Sequence, residues 1–137
     1  NQNLSRLLDK HFQVSMSKVF ATNLFPFVKP GAMSERIPRA DLVRAATEFA
    51  IPQVKIVNPS LVICLGLATF NAMLKACGHR SVSNITQARA AVFQLANTMV
   101  WCQAHTGALG QINRNRGGVN RVHSDWSAMS ESFHNDA

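Results

Sequence analysis

The run Leu61-Val62-Ile63-Cys64-Leu65-Gly66 constrains this chain more than any other stretch. Five consecutive apolar residues leave no polar side to turn toward water. The segment therefore reads as a strand covered on both faces, the kind found inside a parallel sheet. Gly66 closes it, and the helical spacing over residues 68–77 supplies the crossover that parallel strands require. Gly78 is the predicted stop of that helix. Thr98-Met99-Val100-Trp101-Cys102-Gln103-Ala104 predicts a second strand, with His105 just past its end. A third candidate, Val19-Phe20-Ala21-Thr22-Asn23-Leu24, is ended by Pro26 and places Asn23 at a strand end.

Helical spacing fills most of the rest. Leu4, Leu7, Leu8 and Phe12 share one face of a helix over residues 4–12. Leu42, Ala45, Ala46, Phe49 and Ile56 do the same over residues 39–57, where Pro52 is expected to kink or divide the helix. Residues 119–133 read as a closing helix containing Trp126 and Met129. Residues 25–38 and 105–118 read as loops, and residues 80–95 as a loop followed by part of a helix.

Helices thus alternate with strands, which predicts an α/β fold: a three-layer α/β/α sandwich around a short, mainly parallel sheet. A length of 137 residues, with 47% hydrophobic and 15% charged, suits one domain over residues 1–137 with a real core. Ligands of such sheets bind beyond the carboxyl ends of the strands, where Asn23, Gly66 and His105 are expected.

Lys and Arg number 14 against 7 Asp and Glu, a net charge of +7 that attracts polyanions, nucleic acid first among them. Cys64, Cys77 and Cys102 are odd in number and set among apolar residues. That fits reduced core thiols rather than a disulfide framework or a zinc site. His79, His123 and His134 lack metal-ligand spacing, and the chain contains no P-loop. With no run of about 18 apolar residues and no charged-then-apolar leader, the expected setting is soluble and intracellular, with no membrane partner.

Three features can carry chemistry. The amide of Asn23 offers both donor and acceptor, as reading the edge of a pyrimidine requires. His105 can donate to an anion that develops on a ligand. Arg114, Arg116 and Arg121 are interleaved with Asn113, Asn115, Gly117 and Gly118, and they offer forked donors suited to phosphate. Each also has a plain structural use: a loop-tying asparagine, a satisfied histidine and a solvated basic face.

Taken in order, VFATNLFPF, NPSLVICLGLATFNAML and WCQAHTGALG resemble the motifs of the uracil-DNA glycosylase superfamily, over residues 19–126. In that superfamily the last motif typically reads like HPSPL, and His105 and Leu109 keep its separation. The resemblance implies that Asn23 pairs with the edge of a flipped uracil and that His105 stabilises the uracil anion. Leu109 would wedge into the duplex, and Arg114, Arg116 and Arg121 would contact DNA. The implied activity is hydrolysis of the N-glycosidic bond of uracil or a related damaged base in DNA repair. It would need no cofactor and no metal, and a monomer would carry it.

Thr106 and Ala108 stand where the family has stiffening prolines. The family's first motif, a Gly- and Pro-containing loop with a water-activating acidic or amide side chain, has no match before Val19, and neither does its stacking aromatic. Four cysteines hold an iron–sulfur cluster in some members, and three cannot. These departures, with a start at Asn1, lead to the expectation that the domain lacks an N-terminal segment and its first strand, leaving a gap beside the strand ending at Asn23. A catalytically inactive nucleic-acid-binding module and a structural α/β interaction domain are the other readings.

Overall fold

In the computed structural model, which describes residues 2–27 and 36–135, both long apolar runs are strands. They are β1, Leu61–Leu65, and β3, Thr98–Gln103. The two pair in parallel from Leu61 opposite Met99 to Leu65 opposite Gln103. Between them in the chain, but on the far side of β3 in the sheet, comes β2, Phe93–Leu95, which returns through a tight turn at Ala96 and pairs antiparallel with the start of β3. The order is β1-β3-β2, so β3 is central and β1 lies at an edge, not inside the sheet. Parallel pairing makes up the larger part of the ladder.

Seven α-helical segments complete the described residues: α1, Gln2–Phe12; α2, Arg39–Ala45; α3, Ile51–Val57; α4, Leu67–Ala76; α5, Ile85–Arg89; α6, Ala108–Arg114; and α7, Arg121–Asn135. A π-helical turn, Ala46–Ala50, joins α2 to α3. Pro52 therefore does not end the helix. It cannot donate a backbone N–H, and the widened turn just before it accommodates that loss. Ile56, expected on the apolar face, is exposed. Gly66 holds φ +99°, which lets the chain leave β1 and enter α4 at once. After α4 the chain closes in a Schellman turn at Gly78, where His79 N–H reaches the Leu74 carbonyl at 2.8 Å and Gly78 N–H the Lys75 carbonyl at 3.0 Å.

Alternation along the strands sends side chains to two cores. Val62, Cys64, Val100 and Cys102 join Phe70, Met73 and Leu74 of α4, Ala46 and Ala88. Leu61, Ile63, Leu65 and Trp101 pack against Leu8 of α1 and Val122, Trp126 and Met129 of α7. Phe12 meets Trp126 edge-on, with ring centroids 6.3 Å apart. The fold is thus mixed α/β, with helices packed against side chains from both faces of the sheet.

Three expectations are corrected. Residues 19–24 form no strand. Val19 packs into the α1/α7 core and Leu24 into the α4 core, so the segment carries the chain from one core to the other and cannot lie in the ladder. The expected gap beside that strand loses its basis. Residues 80–95 hold the expected loop and the expected helix, α5, but end in an unexpected strand, β2, and residues 105–118, read as a loop, contain α6. The loop over residues 25–38 lies outside the described residues from 28 to 35.

Candidate functional site

Because β1 and β3 are parallel, their carboxyl ends open on the same edge. The ladder runs one step past the strands, with Gly66 N–H donating to the Gln103 carbonyl at 2.8 Å. Beyond it one chain turns into α4 and the other into His105-Thr106-Gly107 and α6. This is the edge where open α/β sheets place ligands.

His105 is exposed, but its backbone and ring are fixed. Gly107 N–H donates to His105 Nδ1 at 3.0 Å, and the Gln111 side-chain amide donates to the His105 carbonyl at 3.0 Å. The carbonyl lies directly against α6, since a Cβ on Gly110 would stand 2.3 Å from its oxygen. Next in the chain, Thr106 is fully buried, and its carbonyl accepts from Asn3 Nδ2 at 2.9 Å. With Nδ1 accepting, the neutral imidazole carries its proton on Nε2. The arrangement presents one N–H donor, held in place, past the end of the central strand.

Leu109 is in the first turn of α6 and 71% exposed; Ile112, three residues on, is 65% exposed. That spacing puts both on one side of the helix. Neither side chain is part of a core.

The three arginines behave differently from one another. Arg114 faces inward: its Nε and Nη2 grip Asp125 Oδ2 and Oδ1 at 2.7 and 3.1 Å, while Nη1 reaches Thr86 Oγ1 at 3.0 Å. Those donors are spent on the fold, which corrects its assignment to phosphate. Arg121 Nη1 donates to the Arg116 carbonyl at 2.7 Å and so braces the turn between α6 and α7. Arg116 is exposed, with one donor on Asn113 Oδ1 at 2.8 Å.

Asn23 is exposed in an irregular segment and not at a strand end, so the convergence expected of Asn23 with His105 on one sheet edge loses its basis. Phe25 and Phe27, its neighbours, line a cleft of about 370 Å³ with Asp41 and Arg44 of α2 and Glu48 of the π turn.

Asp125 is the residue that the sequence reading passed over. It is 1% exposed and bonded by Arg114 and by Arg89 Nε at 3.0 Å, and its own carbonyl accepts from Gln103 Nε2 at 3.2 Å. One carboxylate thus joins α5, α6 and α7, and the same residue is bonded to β3. The signal was present: Val122, Asp125, Trp126 and Met129 have the i, i+3, i+4, i+7 spacing of a buried stripe.

The cysteines offer no nucleophile. Burial first, then the Asp125 carboxylate, pushes the Cys102 thiol up to about 12. Burial also holds the Cys64 and Cys77 thiols above their ordinary value, so all three are protonated at neutral pH. Among the described residues no group of three or more His, Cys, Asp or Glu is placed to hold a metal ion, and no helix is long and apolar enough to cross a membrane.

No family model, curated protein or solved structure matches the chain.

Proposed function

We propose that this chain is a DNA-binding domain of the uracil-DNA glycosylase type, built as a three-layer sandwich, which holds a base out of the duplex and favours cleavage of its N-glycosidic bond. One observation carries the reading. A histidine with its Nδ1 tied down, past the end of a parallel strand, stands four residues before a leucine that projects into solvent.

Each part has a physical task. Extracting a base from the stack costs a few kcal/mol, and an apolar side chain filling the vacated space offsets that cost. Leu109 is the wedge in this reading, and Ile112, one turn on, stays outside the stack. The departing base is an anion, so the Nε2–H of His105 gains strength as the bond breaks and stabilises the transition state more than the ground state. Hydrogen bonds from Gly107, Gln111 and Asn3 replace the stiffness that prolines give the family's loop. Arg116 is the phosphate contact, and Arg121 positions its turn. Asn23 enters this reading through the resemblance alone, as the residue that would pair with the edge of the base.

Binding without base release is the second reading. It is favoured by the state of Asp125, the carboxylate bonded to α6 through Arg114, which is buried and engaged by two arginines. A carboxylate so held does not activate water.

Abasic-site formation on a uracil-containing oligonucleotide separates the two. The glycosylase reading expects release that falls roughly 10²- to 10³-fold in His105→Ala, the usual cost of removing one oxyanion donor. Release unchanged in His105→Ala and Asn23→Ala would remove both from the site. Salt-sensitive binding without release would leave the binding reading.

A further inference from the structure

A second feature lies between α1, α6 and α7, where a cleft of about 230 Å³ opens. One wall is formed by Arg6 and Lys10, four residues apart on α1 and hence on one side of it. His123, in the first turn of α7, and Gln111 and Asn115, of α6 and its exit, also line it. His11, 8% exposed, also lines the cleft, its ring 5.2 Å from that of His123. Its Nε2 is buried without a hydrogen-bond partner, and so is Nε1 of the adjacent Trp126, whose ring is 6.0 Å away. The His11 Nε2 is thus committed to no other side chain by a hydrogen bond.

We propose that this cleft is a binding site for a phosphate group. Arg6 supplies a forked donor and Lys10 a point charge, the two side chains most used for phosphate. His123 adds an imidazole from α7, and the His11 ring beside it can carry a further positive charge. No carboxylate lines the cleft, and among the described residues neither Arg6 nor Lys10 has an ion-pair partner. The positive end of the α7 dipole adds to the field. The first N–H groups of α7 are not the ligands: Val122 N–H is taken by Asn115 Oδ1 at 3.0 Å and His123 N–H by Asn120 Oδ1 at 3.1 Å. The volume exceeds several waters of about 30 Å³ each, room enough for a phosphate.

The pH behaviour of the site agrees. His11 is held below the ordinary histidine value by burial first and then by repulsion from His123 and Lys10. Arg6 adds positive charge, and Asp125 on the same helix is committed to Arg89 and Arg114. An anion in the cleft relieves that repulsion, so binding draws a proton onto His11.

The proposal goes beyond the base-release reading and does not rest on it. Its test is an NMR titration of the whole chain with inorganic phosphate at constant ionic strength, following the imidazole signals. Saturable shifts of His11 and His123, an upward move of the His11 titration midpoint, and roughly tenfold weaker binding in Arg6→Gln/Lys10→Gln are expected. Both substituted residues are exposed, so the variant should keep its fold, and unchanged amide signals elsewhere would show it. A uracil-free oligonucleotide forms the second arm. Tighter binding than phosphate, weakened by the same variant, identifies a nucleic-acid backbone phosphate; no tighter binding identifies a free phosphate. Shifts that do not saturate, or that persist in the variant, overturn the site whatever the outcome for base release.

Discussion

Arg114 and Asp125 form a two-point ion pair, Nε to Oδ2 at 2.7 Å and Nη2 to Oδ1 at 3.1 Å, with the two side chains only 10% and 1% exposed. An ion pair this deeply buried contributes little compared with well-packed apolar residues, but breaking it leaves a charge without compensation. Asp125→Ala strands the Arg114 guanidinium and removes the partner of Arg89. A loss of about 3–5 kcal/mol of unfolding free energy is expected. Urea unfolding of the variant measures it, and a loss below about 1 kcal/mol would show that the carboxylate does not hold α5, α6 and α7 together.

Gly110 faces the carbonyl of His105 so closely that a Cβ would stand 2.3 Å from the oxygen. Neither backbone can yield without moving α6 or the turn that sets the His105 ring. Gly110→Ala should cost about 1–3 kcal/mol, the range for overpacking. It should also break the 3.0 Å bond from Gly107 N–H to Nδ1, which a shift of the His105 ring signals in NMR would reveal. An alanine tolerated with those signals unmoved would mean that the ring is not positioned by α6.

The sheet was largely legible because a run such as residues 61–65, apolar at every position, has few alternatives. The error at residues 19–24 has a clear origin. Val19 and Leu24 are apolar for two different cores, and a six-residue run cannot distinguish a strand that alternates within one sheet from a segment passing between cores. Hairpin strand β2 was missed because three residues carry too little periodicity. Arg114 and Arg116 differ by two positions on α6 and its exit, so one faces Asp125 and the other solvent; composition treats them alike. The place of His105 past the end of a strand was readable from the apolar run before it, whereas Leu109 was singled out only by the resemblance, and the bonds that fix His105 come from residues with no distinguishing type.

Leu109 and Ile112 give a test that separates wedge from surface. If Leu109 fills the space of an extracted base, Leu109→Ala should reduce base release from a duplex by roughly ten- to hundredfold and leave release from single strands nearly unchanged, since single strands need little unstacking. Release rates on the two substrates measure this directly. An equal loss on both would place Leu109 in general contact with DNA and not in the stack. Ile112→Ala, one turn on and no part of the wedge, should show the smaller difference between substrates.

His11 gives the pH dependence. Its pKa in the folded chain lies below the ordinary value of about 6.5, because burial and then His123 and Lys10 disfavour the imidazolium. The unfolded chain therefore binds the proton more readily, and the stability linked to His11 is fully present above about pH 6.5 and declines as pH falls toward the folded-state value. In a buffer free of phosphate, the thermal midpoint of the native chain should drop on acidification from about pH 7.5 to about pH 5. His11→Gln has no proton to take up in that range, so its midpoint should drop less over the same interval. Added phosphate should shrink the difference, because an anion in the cleft supplies the counter-charge that the imidazolium lacks. Parallel pH profiles of the two proteins, or a native profile that rises on acidification, would show that His11 is not the buried group whose protonation opposes folding.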